Sequence, residues 1–130
     1  MSIAVFCSEV PLKPGDIRAF PRQSVEHDWS GSPLTAPLSW CFARDPKTLW
    51  FVASLPGGQC FDAHHAQGEF VEGLWERDVA EFFVKDRSGR YQEFNVSPAG
   101  AWWTAVLSSY RTREEITPKL HVSAVEVTIQ

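Results

Sequence analysis

An all-β domain is the fold class this sequence predicts, and three observations predict it. Proline and glycine punctuate the chain at short intervals, and the runs between them are rich in β-branched and aromatic residues. No segment repeats its apolar residues with a convincing helical period. Short strands at close spacing, separated by tight turns, suit a sandwich or a barrel. At 130 residues the chain fits one domain, and it shows no internal repeat, low-complexity tract or linker.

The first forty residues hold Pro11, Pro14, Pro21, Pro33 and Pro37 with Gly15 and Gly31, a density that excludes a long helix and favours short strands and turns. Directly after Pro37, residues 38–45 (LSWCFARD) read as a strand, 45–47 as a turn, and 48–55 (TLWFVASL) as a second strand closed by Pro56-Gly57-Gly58. The two form a predicted hairpin. Residues 59–74 carry no clear pattern. DVAEFFVKD then reads as a strand ending at Arg87-Ser88-Gly89, and RYQEFNVS (90–97) as its partner. Phe94 and Val96 fall on one face of that partner and Glu93 and Asn95 on the other, the alternation of a half-buried strand. After the break at Pro98-Ala99-Gly100, AWWTAVLS (101–108) starts another strand. HVSAVEVTIQ (121–130) is predicted as the last, with Ser123, Val125, Val127 and Ile129 toward the core. A strand at the very end of the chain suggests that the natural C-terminus, and further strands with it, are missing. An edge left unpaired in that way would favour a homodimer.

Composition narrows the function. Acidic residues outnumber basic ones, 16 to 12, and no Lys/Arg-rich run occurs, which argues against nucleic acid and against anionic membrane surfaces. Small neutral ligands, sugars among them, stay open. Six Trp, nine Phe and two Tyr imply a densely aromatic core, a stacking surface, or both. Cys7, Cys41 and Cys60 are odd in number and widely spaced, with no CxxC pair for zinc. The N-terminus lacks a basic region and a long apolar run, and nothing is long enough to span a bilayer. A cytoplasmic protein with reduced thiols is the simplest expectation; a secreted chain shorn of its leader would look the same.

The segment 73–113 is the most distinctive. Its core, Trp75-Glu76-Arg77-Asp78-Val79-Ala80-Glu81-Phe82-Phe83 followed by the strand YQEFNVSP, resembles the family 9 carbohydrate-binding modules and the wider DOMON-like domains. These carry a W-E-x-D-x-x-E-x-F pattern where a loop enters a strand. The resemblance covers about a third of the chain closely and residues 38–55 loosely. It implies an antiparallel β-sandwich that binds carbohydrate without catalysing a reaction. It also implies that Trp75 stacks on a pyranose and that Glu81 bonds a hydroxyl. A basic residue of the family is replaced here by Asn95. The chemistry is suitable: indole covers the C–H face of a sugar, while carboxylates and amides bond its rim. Trp75, Arg77, Glu81, Asn95 and Trp103 are therefore the candidate ligand-binding residues. The family closes its site with a second aromatic near the C-terminus, whose place Trp102, Trp103 or Tyr110 must fill. Family members carry structural ions, but no acidic cluster in the sequence marks a calcium site, so neither metal nor cofactor is expected.

Each residue also has a structural reading. Trp75 can be an edge-packing residue. One of Trp102 and Trp103 points inward and the other outward on a strand. Glu81 can pair with Arg77, Arg111 or Arg113, and Asp78 can fix its loop. A protein–protein interface or a purely structural role is the main alternative function. A metal site at Asp62, His64, His65 and Glu69 is weaker, because adjacent histidines on a strand diverge and no HExxH spacing exists. Haem ligation lacks its methionine, Met1 being the only one. Nucleophilic roles for Cys60, Ser108 or Ser109 lack any motif that sets a nucleophile against a base.

Overall fold

The computed structural model describes residues 2–54, 56, 65–116, 118 and 120–127. Its contacts group into two compact units, residues 1–58 and 59–130, each with its own four-stranded sheet and apolar cluster. Among the described residues no helix is long and apolar enough to cross a membrane.

In the first unit a long central strand organises the rest. The strand β3 (Pro33–Arg44) pairs antiparallel with β2 (Gln23–His27) and with β4 (Leu49–Ser54), and parallel with β1 (Val5–Cys7). The sheet is therefore mixed, which corrects the expectation of antiparallel strands throughout. Between β1 and β3 the chain makes the helix α1 (Pro14–Arg18) and β2, a connection long enough to bring the two strands side by side in one direction. The strand also begins earlier than Pro37. Pro33 and Pro37 are tolerated because β4 covers only residues 39–44, and the β2 ladder is irregular between Val25 and His27. A missing N–H is harmless at such an interrupted edge.

The helix has Pro14 in its first turn, where no N–H is needed, and Asp16 Oδ2 accepts the Lys13 N–H at 2.8 Å. It buries Ile17 against Cys41 and Ala43, with Phe6, Phe20, Trp50 and Val52 around them. Phe6 and Phe20 stack with centroids 4.9 Å apart. The predicted hairpin is present, and Asp45 builds its turn. Asp45 Oδ1 accepts the Lys47 and Thr48 amides at 2.9 and 2.8 Å, and Oδ2 accepts Leu12 N at 3.0 Å and Trp50 Nε1 at 3.3 Å. These donors, the Leu12 amide foremost, pull its pKa from 3.8 to about 2.

The second unit is an antiparallel meander in the order β5 (Ala80–Lys85), β6 (Tyr91–Val96), β7 (Trp102–Ser109), β8 (Thr112–Glu114). The turns between β5, β6 and β7 fall where Ser88-Gly89 and Pro98-Gly100 stand in the sequence. Gly100 has φ +87°, and a Cβ there would lie 2.9 Å from Gln67 Cγ and 3.1 Å from Val127 Cγ2. Only glycine suits both the turn and that close approach.

Over residues 121–127 the predicted terminal strand is not formed and there is no ladder, while 128–130, with Ile129, lie outside the described residues. Side-chain amides hold this region instead. Gln92, buried on β6, donates to Leu120 O at 2.8 Å and accepts Leu120 N at 3.2 Å, while Gln67 donates to Val125 O at 2.9 Å. Alternating valines predicted a strand, but a strand needs a neighbouring backbone as well as a pattern.

Candidate ligand-binding face

One face of the second sheet gathers four of the five predicted residues. In the register of β5, β6 and β7, Glu81 lies opposite Asn95, and Asn95 opposite Trp103. Cross-strand neighbours share a face, so the three side chains form one row across the sheet. Trp75 reaches the row from the 3-10 turn Leu74–Glu76, its ring edge-to-face with Trp103 at 4.5 Å.

The loop that delivers Trp75 is laced to the start of β7. Val71 N donates to Trp102 O at 3.0 Å, and Trp102 N donates to Glu69 O at 2.9 Å. This brings Glu72 to Trp103, whose Nε1 donates to Glu72 Oε2 at 3.0 Å. Arg113 closes the arrangement, donating to Glu72 Oε1 at 2.6 Å with its guanidinium 5.6 Å from the centre of the Trp103 ring. The Trp103 bond, with Arg113, holds the Glu72 carboxyl below its ordinary value. Trp103 is only 5% exposed and packs with Leu74, Ala101, Ala105 and Leu107, so it is the inward member of the tandem pair. Trp102 is on the other face, edge-to-face with Phe70 at 5.0 Å. Trp75 is 44% exposed and carries the accessible ring.

The polar part of the row is unusual. Asn95 is 0% exposed, its Nδ2 donates to Glu93 Oε1 at 2.9 Å, and its Oδ1 has no partner among the described residues. The 3-10 turn lies against β6, which is why this polar face is covered. Burial, then the Glu93 carboxylate and a hydrogen bond to it, push the Glu81 carboxyl above its ordinary 4.5. Among the described residues Glu81 does not form the arginine pair that its setting among apolar residues suggested. Arg113 is bound to Glu72, and Arg111 lies over the Tyr110 ring at 5.1 Å.

Arg77 is the predicted residue that the structure leaves apart: it caps the 3-10 turn and is exposed. Three contributors were not predicted at this place. Glu93 is two residues before Asn95 on the same strand, and alternation alone puts it on the same face. Glu72 and Arg113 come from stretches without periodic signal, and only the fold brings them to Trp103.

Asp62, His64 and Cys60 lie outside the described residues. His65 Nδ1 is 3.9 Å from Glu69 Oε2, and among the described residues no group of three His, Cys, Asp or Glu side chains could hold a metal. Comparisons with protein-family models, with curated proteins and with solved structures find no match to this chain.

Proposed function

We propose that this chain is a non-catalytic binding module for carbohydrate, in keeping with its resemblance to the family 9 modules and their antiparallel sandwich. The observation that carries this reading is the half-exposed Trp75 ring on the same face as the exposed Glu81 carboxyl, with Asn95 and Trp103 buried beneath as their support. A stacking ring and a line of hydrogen-bonding groups on a rigid sheet are what a pyranose needs. Trp103, fixed by Glu72 and Arg113, orients Trp75. Nucleic acid, membrane and cofactor have no part in this reading. A cytoplasmic setting fits the unpaired Cys7 and Cys41.

A protein partner is the second reading. Phe83, 52% exposed, follows Glu81 on the same face and widens the apolar surface. A second copy of the chain belongs to this reading, through the outer edge of β5.

The test is a titration of the isotope-labelled chain with mono- and oligosaccharides, read at the Trp indole N–H and backbone amide signals. Shifts at Trp75 and Glu81 with one sugar class are expected. Silence with every sugar at millimolar concentration would remove the carbohydrate reading and leave the protein partner first.

A further inference from the structure

The second sheet ends on β5, whose outer edge pairs with no strand among the described residues. Its six residues keep an unbroken register with β6 and include no proline, so neither a bulge nor a missing N–H blunts the edge. Asp86 N donates to Arg90 O across the turn, and hydrogen-bonded pairs alternate along an antiparallel ladder. Ala80, Phe82 and Val84 therefore turn their backbone groups toward β6, while Glu81, Phe83 and Lys85 turn theirs outward. The side chains of these last three share one face and are exposed. Among the described residues Lys85 is in no ion pair, and Glu81 is set near a like charge, Glu93.

We propose that this edge pairs with the same edge of a second copy of the chain, β5 antiparallel to β5 about a two-fold axis at Phe83. The pairing rests on the protein-partner reading above and gives that reading its partner. Only residues with outward backbone groups exchange hydrogen bonds across the new ladder, so Glu81, Phe83 and Lys85 must meet the same three positions of the other strand. Centred on Phe83, the register sets Glu81 against the partner's Lys85 at both ends and Phe83 against the partner's Phe83 between them. On the opposite face Phe82 meets the partner's Val84. A slip of two residues in either direction sets a charged side chain against Phe83 and loses one of the three hydrogen-bonded pairs. Opposite charges facing each other across a ladder are favourable and like charges are not, so charge selects the centred register. No other edge offers this selection: β1 and β8 are three residues long, β2 has a register shift, and β4 carries no charge. The partner's Lys85 also brings Glu81 a positive charge, in keeping with its raised pKa. The two four-stranded sheets become one, with both Trp75 rings on the same side.

The experiment is sedimentation equilibrium of the full chain from low micromolar to millimolar concentration. Such an edge buries less than the roughly 1,200 Å² of a standard complex, so the chain should be dimeric at high concentration and separate on dilution. Glu81→Lys and Lys85→Glu, both at exposed positions, each set like charges opposite one another at both ends. Either alone should weaken the dimer roughly tenfold or more. An equal mixture of the two variants should recover it, because each end then holds one charge of either sign; recovery also shows that both variants fold. A chain that stays monomeric at millimolar concentration would overturn the second copy and leave a different protein as the partner. A dimer indifferent to both substitutions, or weakened by both and not recovered by mixing, would overturn this register. Assemblies that keep growing with concentration would overturn the closed two-fold pairing. The sugar titration, run where the chain is dilute and monomeric, decides the carbohydrate reading separately.

Discussion

Replacing Asn95 by leucine should make the chain more stable while destroying the proposed site. Asn95 is fully buried, yet its Oδ1 is unpartnered among the described residues. Removing a buried unpaired carbonyl relieves about 1–3 kcal/mol. Burying the leucine side chain adds about 2 kcal/mol. Against these stand the Nδ2 bond to Glu93, about 1.5–2 kcal/mol because its acceptor is charged, and overpacking against the Trp103 ring, about 1 kcal/mol. The net is a gain of about 1 kcal/mol, or roughly 4 °C in Tm. Thermal and denaturant unfolding of the two proteins measures it, and the sugar titration measures the loss of binding. Asn95→Asp is the opposing control: a third carboxyl beside Glu81 and Glu93 should destabilise by about 2–3 kcal/mol at neutral pH. A lower Tm for Asn95→Leu would refute the reasoning, because Oδ1 would then already be satisfied and the row would hold no vacant acceptor.

Other outcomes follow from the same contacts. Gln92→Leu removes both bonds to Leu120, each worth about 0.5–1.5 kcal/mol; the Leu120 amide should exchange with solvent at least tenfold faster, read by hydrogen exchange. Glu81→Gln should stabilise at pH 7 and do nothing below pH 4. A carboxyl raised above its unfolded 4.5 contributes stability only at acid pH and loses it as pH rises through the folded value. Solvent screening at this exposed edge limits the gain to about 0.2–1 kcal/mol, checked by urea unfolding at both pH values. Asp45 acts in the other sense. Its folded pKa of about 2 lies below 3.8, so its stabilisation is complete above about pH 4 and lost as pH falls toward 2. Asp45→Asn should flatten that part of an acid-unfolding curve.

Local chemistry made much of the fold legible. Asp45-Pro46-Lys47, Ser88-Gly89 and Pro98-Ala99-Gly100 announce turns because their side chains or backbones suit few other conformations, and the strands between them follow from alternation. The same local rules misjudged β3, where two prolines looked like boundaries. A proline breaks a strand only if its N–H is needed, and that depends on which edge a neighbour occupies.

The candidate site divides along the same line. Trp75, Glu81 and Asn95 were named through the resemblance of residues 75–83 and the following strand to the family 9 modules, while strand parity assigns Glu81 to one face by itself. Which residues oppose each other was not: the Glu81–Asn95–Trp103 row depends on hairpin register. Glu72 reaches Trp103 across 31 residues and Arg113 across 41. Nor could the sequence say that the polar face of β6 is covered, since the loop that buries Asn95 has no periodicity to place it. By itself, then, the chain's sequence determined strands, turns and face parity, which arise from interactions a few residues long. Sheet order, the parallel β1, the amide-held terminal segment and the unpartnered Asn95 were decided only by tertiary structure, because each depends on which distant backbone or side chain arrives as a neighbour.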